Sequence, residues 1–372
     1  MKIHFDPKDF STKFKLAASV ASARDIKAIL HNVKAKADKK TGVILQATDT
    51  ELGIRIRVDC DVSSNGAAVL PTQIMRDIFE RTSEERLSIE CTESETVVSG
   101  EKERYELNTQ SPDEFPDIEE FEETAYHEIP AKALKEMIRR TIFALDPENV
   151  RYALGGVCFE MSDESISVVA TDGRRLAWQE GKGNCVSDHK VESAILPARS
   201  LQVLAQVLSD KSIDEDDDVK MAVSANRVLF QCRDVTLFSR LVEGRFPKWR
   251  NIIPKTDDDT PVTIECGSLL PAVLQAEIAN SKLEPGVNFV FEEGKLTLRG
   301  EGKEIGSSTS DVAISYDGHQ KTLKLDPKFM TSFLRVLDSS TVLSIYLPPD
   351  NDPVKITADD GGYVYVVMPL SS

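Results

Sequence analysis

The tetrapeptide Asp172-Gly173-Arg174-Arg175 puts a carboxylate beside two guanidinium groups, and Asp49 closes the same Ala-Thr-Asp triplet earlier in the chain. Two such carboxylates could hold a divalent metal while the arginines bind a phosphoryl group, as a nuclease or phosphotransferase requires. The placement argues otherwise. Each aspartate ends an alternating run, one starting at Gly42-Val43 and one at Gly156-Val157, so each sits in its own copy of a repeated plan and the two stand apart. Asp-Gly between extended runs is a turn signal, because Gly takes positive φ without steric cost and Asp tolerates it. The chain contains no Gly-x-x-x-x-Gly-Lys-Ser/Thr, no Gly-x-Ser-x-Gly and no His-Glu-x-x-His. No catalytic residue is assigned. An enzyme built on Asp172 and Arg175 is the alternative from a different class.

The other reactive side chains are dispersed. Cys60, Cys91, Cys158, Cys185, Cys232 and Cys266 are at least 27 positions apart and read as buried free thiols of a reducing compartment. His4, His31, His127, His189 and His319 form no His-x-x-x-His, so neither a metal nor another cofactor is expected. No apolar signal segment follows Met1, and no run reaches the ~18 apolar residues of a membrane helix. The expectation is a soluble cytoplasmic protein without a membrane partner. A length of 372 residues, 41% hydrophobic, is enough for two or three cored domains. The net charge of −17 should repel nucleic acid unless the lysines and arginines gather on one surface.

The elements that position these residues come in three copies. Gly-Val starts at 42, 156 and 286 open extended runs. Leu70-Pro71, Leu196-Pro197 and Asp326-Pro327 each open a helical pattern, with Pro expected in the first helical turn. Apolar residues at Ile74/Ile78, Leu201/Leu204/Leu208 and Phe329/Phe333/Leu337 then follow a period near 3.6, and strands resume at Leu87–Cys91, Val219–Val223 and Val342–Leu347. A further helix precedes each Gly-Val, over about 8–22, 131–144 and 268–280. The plan is helix, strands, helix, strands, repeated over about 120 residues, which gives an α+β layer that can share sheets with its neighbours through edge strands. The acidic stretches around Phe115–Glu128 and Asp257–Asp259 read as linkers, and Asp214–Asp218 as a solvated loop.

Several helices carry a basic outer face. Lys8, Thr12, Lys15, Ser19 and Ser22 oppose the Phe10/Phe14 stripe of the first helix. Lys132, Lys135 and Arg139 line one side of the third, and Lys328, Ser332 and Arg335 one side of the last. The helix after Pro197 is polar but uncharged there. Such faces bind phosphates without reading bases.

The sequence resembles the bacterial sliding clamps, the β subunit of DNA polymerase III. The resemblance rests on Ala170-Thr-Asp-Gly-Arg-Arg-Leu-Ala177, Asp113-Glu-Phe-Pro116, Asn149-Val-Arg-Tyr152, Leu241-Val-Glu-Gly-Arg-Phe-Pro-Lys-Trp-Arg250 and Val366-Val-Met-Pro-Leu370, spread in family order over the whole chain. It implies an α+β DNA clamp fold of three similar helix-plus-sheet domains, 1–122, 123–254 and 255–372, in a head-to-tail ring homodimer whose helices line a hole around duplex DNA. The implied function is non-catalytic. The clamp would tether a replicative DNA polymerase subunit, be placed on DNA by a clamp loader, and serve other replication and repair proteins.

Those partners, by the same resemblance, insert a Gln followed by hydrophobic residues into a cleft between the second and third domains. Carried over by position, the cleft comprises Leu154, Thr171, Gly173, Arg174, Arg175, Leu176, Pro247, Ile252, Phe329, Pro353, Val366, Met368, Pro369 and Leu370. Arg24 and Tyr152 match positions that touch DNA, joining Lys8, Lys15, Lys132, Lys135, Arg139, Lys328 and Arg335 of the helix faces. The chain departs from the family pattern at Arg174, usually His, at Phe329, commonly Tyr, at Ala153, an aromatic in some relatives, and in its Met-Pro-Leu-Ser-Ser tail. These departures motivate a further reading, a clamp specialised for a repair polymerase or a replicon-specific partner.

Overall fold

The computed structural model describes residues 1–21, 27–92, 94–146, 152–187, 189, 191, 193–256, 260–280, 286–302, 305–349, 352–358 and 361–370. The first repeat runs β1 (Lys2–Phe5), α1 (Pro7–Ala18), β2 (Asn32–Asp38), β3 (Gly42–Thr48), β4 (Leu52–Val58), β5 (Asp61–Ser64), β6 (Gly66–Pro71), α2 (Thr72–Arg81), β7 (Leu87–Cys91), β8 (Glu95–Ser99) and β9 (Arg104–Asn108). The second runs β10 (Tyr126–Pro130), α3 (Ala131–Thr141), β11 (Gly156–Met161), β12 (Ser165–Thr171), β13 (Arg175–Lys182), β14 (Asn184–Val186), β15 (Ser193–Pro197), α4 (Ala198–Val207), β16 (Asp218–Val223), β17 (Arg227–Cys232) and β18 (Val235–Arg240). The third runs β19 (Val262–Glu265), α5 (Cys266–Glu277), β20 (Val287–Glu292), β21 (Lys295–Gly302), β22 (Gly306–Ala313), β23 (Lys321–Leu325), α6 (Pro327–Leu334), β24 (Val342–Tyr346), β25 (Val354–Ala358) and β26 (Tyr363–Val367).

Two of the helices start the same way for the same reason. In Asp6-Pro7-Lys8 and Asp326-Pro327-Lys328 the aspartate accepts from the lysine N–H, at 2.7 and 2.9 Å, while proline fills the first helical position, where an N–H would be unpaired. Pro71 and Pro197 differ from expectation. They end β6 and β15, and their helices begin at the following residue. The Gly-Val landmarks are also out of register. Gly42 opens β3, the second strand after its helix, whereas Gly156 and Val287 open β11 and β20, the first. The Ala-Thr-Asp triplets remain equivalent, ending β3 and β12.

The chain packs as two compact units. One comprises Met1–Lys132, Asn184–Val191 and Arg199–Leu241, and the other Ala133–Gly183, Glu192–Ala198 and Val242–Ser372. The first holds a five-stranded sheet, β5-β1-β7-β8-β9, and a nine-stranded sheet, β14-β10-β16-β17-β18-β4-β3-β2-β6. The second holds an eight-stranded sheet, β15-β11-β12-β13-β26-β25-β24-β19, and a four-stranded sheet, β22-β21-β20-β23. The central repeat is thus divided between the two large sheets. Its β18 pairs with β4, and its β13 with β26, all antiparallel. Edge strands of adjacent repeats pair as expected, which removes exposed edges.

Alternating strand residues and helix stripes meet in aromatic-rich cores. In the first unit Phe10 stacks on Phe5 at 4.1 Å, and Phe79 meets Phe14 at 5.5 Å. In the second unit Phe333 of α6 lies flat on Tyr365 of β26 at 4.3 Å. The acidic segment after Phe115 is not a bare linker. Phe115 and Ile118 are buried, Arg55 donates to the Ile118 carbonyl at 3.2 Å and pairs with Glu120, and Arg227 pairs with Glu119 and Glu123. The Asp214–Asp218 loop is likewise pinned, with Arg233 bridging Asp214 and Asp217 and holding the Asp217 carboxyl below its usual range. Asp257–Asp259 lie outside the described residues.

Close packing of α5 on β21 needs a glycine. A Cβ at Gly300 would stand 1.9 Å from the Ala276 carbonyl oxygen, which also accepts from the Ser308 hydroxyl at 2.7 Å. Gly300→Ala is expected to destabilise the second unit by about 1–3 kcal/mol through overpacking. A lowered midpoint of urea unfolding is the measurement, and an unchanged midpoint contradicts this packing.

Candidate partner-binding cleft

The turn at Asp172 is built from four hydrogen bonds. Asp172 Oδ1 accepts from the N–H groups of Arg174 (2.9 Å) and Arg175 (3.0 Å). The Thr171 hydroxyl accepts from Gly173 N–H (3.1 Å) and donates to the Arg175 carbonyl (2.6 Å). The Asp49 turn repeats every one of them. Asp49 Oδ1 accepts from Glu51 and Leu52 N–H at 3.0 and 2.7 Å, and the Thr48 hydroxyl bonds to Thr50 N–H and the Leu52 carbonyl at 2.9 and 2.8 Å. Both aspartates therefore have a structural reason to be there. Gly173 has φ +89° with open space where a side chain would stand, and Thr50 takes the same left-handed position at φ +76°. Glycine is there for backbone conformation rather than for room. The backbone of 173–176 thus has a counterpart in the first repeat, and only its side chains differ.

Those side chains converge on α6 and the C-terminal strand. Arg175 and Asp172 form a buried ion pair at 3.1 Å, with side chains 10% and 5% exposed. The Arg175 guanidinium lies 4.4 Å from the Phe329 ring centre and 5.7 Å from that of Phe143, and the exposed Arg174 guanidinium lies 5.4 Å from Phe329. The Tyr365 hydroxyl donates to the Phe329 carbonyl at 3.1 Å. Burial raises its pKa above the usual tyrosine range, and the charge of Arg175 partly opposes that. The tail is tied to the turn by Met368 N–H, which donates to the Arg174 carbonyl at 2.9 Å, and Met368 is 38% exposed.

A second wall comes from the segment before β19. Trp249 is buried against Cys158, Val169, Leu176, Val364 and Val366, with Trp178, Phe246 and Ile253 around it. Its indole donates to Glu160 at 2.8 Å, and Arg250 pairs with the same carboxylate while stacking on the indole at 4.1 Å. Burial in this cluster, chiefly, pushes the Cys158 thiol up to about 12. Next to it a cavity of about 710 Å³ is lined by Ile252, Pro353, Leu347, Pro348 and Pro349 among others.

Of the fourteen cleft positions, Thr171, Gly173, Arg174, Arg175, Phe329 and Met368 come together at the turn. Leu176 and Val366 face each other across β13 and β26 in the Trp249 cluster, and Ile252 and Pro353 share the cavity. Leu154 is buried ahead of β11, Pro247 is exposed, and Pro369 is half-buried. Leu370 lies further along, its N–H on the Lys324 carbonyl at 2.8 Å and its side chain beside Gly286. Sequence reasoning missed Phe143, Tyr365 and Trp249. The Tyr-Val-Tyr-Val-Val alternation of β26 was the available signal for Tyr365.

The basic helix faces are also in place. Lys8, Lys15, Lys132, Lys135, Arg139, Lys328 and Arg335 are all exposed, with Lys15 paired to Glu80 and Lys132 to Glu215. Arg24 lies outside the described residues, and only the backbone of Tyr152 is described. Two histidines that look unrelated in sequence meet. His127 and His189 face each other through Nδ1 atoms 2.9 Å apart, and His189 Nε2 reaches the Val223 backbone. Among the described residues, no three His, Cys, Asp or Glu side chains gather as metal ligands.

A helix-and-sheet plan used three times, with sheets continuous from repeat to repeat, places the chain in the class of three-domain α+β clamp folds. Three family models match it in order: the DNA polymerase III beta subunit N-terminal domain over residues 1–119, central domain over 128–248 and C-terminal domain over 250–371. The chain belongs to the DNA polymerase III beta subunit family. It is 28% identical over 360 residues to the beta sliding clamp of Halalkalibacterium halodurans, covering 91% of this chain and 92% of that one. A DNA polymerase III beta subunit structure from Eubacterium rectale superposes with TM-score 0.89 at 26% identity, each chain covered completely. A Pseudomonas aeruginosa sliding clamp bound to griselimycin superposes with TM-score 0.92 at 24% identity, again over the full length of both.

Asp172→Ala should lower stability by about 3–5 kcal/mol, because it leaves Arg175 buried without its counter-charge. Asp49→Ala should cost less, since its ion-pair partner Arg199 is half exposed and solvent takes over. Urea unfolding of the two variants side by side decides this, and equal losses would refute the distinction.

Proposed function

We propose that this protein is the sliding clamp of a bacterial replication machine, a non-catalytic ring homodimer that encircles duplex DNA and gives a DNA polymerase processivity. The observation that carries the reading is the ordered match of all three domain families across the chain. The mechanism is topological. A closed ring slides along the duplex because its contacts with phosphate are weak, and it cannot leave without opening or reaching an end. Exposed cations on α1, α3 and α6 suit such contact, despite a net charge of −17. Heterologous head-to-tail interfaces that close by rotation give the dimer.

In this proposal the domains are 1–122, 123–254 and 255–372. The protein works in the cytoplasm, is placed on DNA by an ATP-dependent loader, and serves repair and replication enzymes besides the polymerase. Partners dock by short hydrophobic peptides in the cleft formed by the Asp172 turn, Phe329, the Trp249 cluster and the tail at Val366 to Leu370. Apolar walls, an exposed methionine and a few oriented polar groups suit a peptide of this kind. Arg174 in place of the usual His also fits a clamp with its own partner preference.

Once loaded, the protein should stay on nicked circular DNA and escape within seconds from the same DNA linearised. Equal retention on both would defeat the topological mechanism. Met368→Ala should weaken binding of a polymerase peptide by roughly ten-fold, as expected for losing a large interface side chain, with the dimer intact by size measurement. Unchanged peptide affinity would remove Met368 from the cleft.

A further inference from the structure

The fold brings together two imidazoles that stand 62 positions apart in the chain. His127 lies on β10 and is 1% exposed, and His189 follows β14 and is half-buried. Their rings meet at 69° rather than stacking, with Nδ1 facing Nδ1 at 2.9 Å. On its far side His189 Nε2 lies 3.0 Å from the Val223 carbonyl oxygen and 3.1 Å from the Val223 backbone nitrogen. With the Nε2 proton on that carbonyl, the Nδ1 lone pair of His189 points at His127. Cys185 of β14 stands directly across from His127 in the antiparallel register, so the two side chains leave the same face of the sheet. The Cys185 Sγ is 3.9 Å from the His189 carbonyl oxygen.

We propose that His127, His189 and Cys185 form a structural site for a borderline divalent cation of the Zn²⁺ class. Two neutral imidazoles meet Nδ1 to Nδ1 by sharing one proton, and a cation takes that proton's place between the two lone pairs. Both rings then bind through Nδ1 and carry their protons on Nε2. For His189 that proton goes to the Val223 carbonyl, the kind of outer contact that fixes the tautomer of a metal-bound histidine. Zn–N bonds of ~2.0–2.1 Å at a tetrahedral angle set the nitrogens roughly 3.3–3.4 Å apart, so the rings part by only about 0.4–0.5 Å. Cys185 is not yet in ligand position, since no three such side chains gather among the described residues. It joins by turning its side chain, gives its proton to solvent and binds as the thiolate, and water on the half-buried His189 side makes the fourth ligand. Imidazole and thiolate together favour Zn²⁺ over the hard cations Mg²⁺ and Ca²⁺. The ion fastens the chain after β14 to β10, at the edge of the nine-stranded sheet of the first unit.

The full-length protein, freed of metal with a chelator, is titrated with Co²⁺, whose spectrum reports its ligands. One ion per chain should bind, with the strong visible bands of a tetrahedral site and a thiolate-to-cobalt charge-transfer band in the near ultraviolet. Zn²⁺ should bleach both. His189→Gln should weaken binding by roughly ten-fold or more. Cys185→Ser keeps both rings, and should lose the charge-transfer band with its circular dichroism unchanged, which separates loss of a ligand from loss of the fold. No bands, bands of octahedral cobalt alone, a charge-transfer band that survives in Cys185→Ser, or undiminished affinity in His189→Gln would each overturn the site.

Discussion

The antiparallel register between β13 and β26 is the constraint on which the rest of the second unit depends. Arg175 stands opposite Val367, Leu176 opposite Val366, Ala177 opposite Tyr365, Trp178 opposite Val364 and Gln179 opposite Tyr363. Because side chains alternate across a sheet, this register puts Leu176, Val366, Trp178 and Val364 under Trp249, and Tyr363 and Tyr365 under Phe333 of α6. It also sets the Asp172 turn level with Met368. A slip of one residue would exchange the two faces, exposing the tyrosines to the wrong layer and dissolving the cleft. Tyr363 secures the register from the helix side, since its hydroxyl donates to the Arg140 carbonyl at 2.6 Å and Arg140 stacks on its ring at 5.1 Å.

Local chemistry was the legible part of the sequence. Helices with clear apolar stripes, such as Phe10/Phe14 and Phe329/Phe333, lie where periodicity puts them, and Asp172-Gly173 is a turn because few residue pairs accept its backbone angles. Register was less legible. Gly42 and Gly156 look alike to a reader of dipeptides, yet they open different strands of the plan, because a Gly-Val start marks any buried strand. Long-range pairing was not readable at all. Nothing near Glu119 or Glu120 shows that Arg227 and Arg55 wait for them, and nothing near His189 points to His127, so these contacts emerge only when the sheets form. The cleft was named by resemblance. Its aromatic floor at Phe143 and Tyr365 came from the fold.

The charge distribution reconciles an acidic chain with a basic function. Some carboxylates pin loops, as at Asp214, Asp217, Glu119 and Glu160, each of which holds an arginine. Lys8, Lys135, Arg139, Lys328 and Arg335 on the helix faces are exposed and make no ion pair among the described residues. Net charge is a poor guide to what one surface of such a protein attracts.

The same β13–β26 pairing has a consequence for how the chain is made. Gln179 waits for Tyr363, 184 positions further along, so during synthesis the β11–β13 half-sheet has an open edge until the last strand leaves the ribosome. Non-local pairing of this kind is slow and leaves an unpaired strand available to other nascent chains. The strand that completes the cleft is also the one that closes this hazard. The Asp172 turn therefore gains its neighbour Met368 only at the moment the sheet loses its open edge.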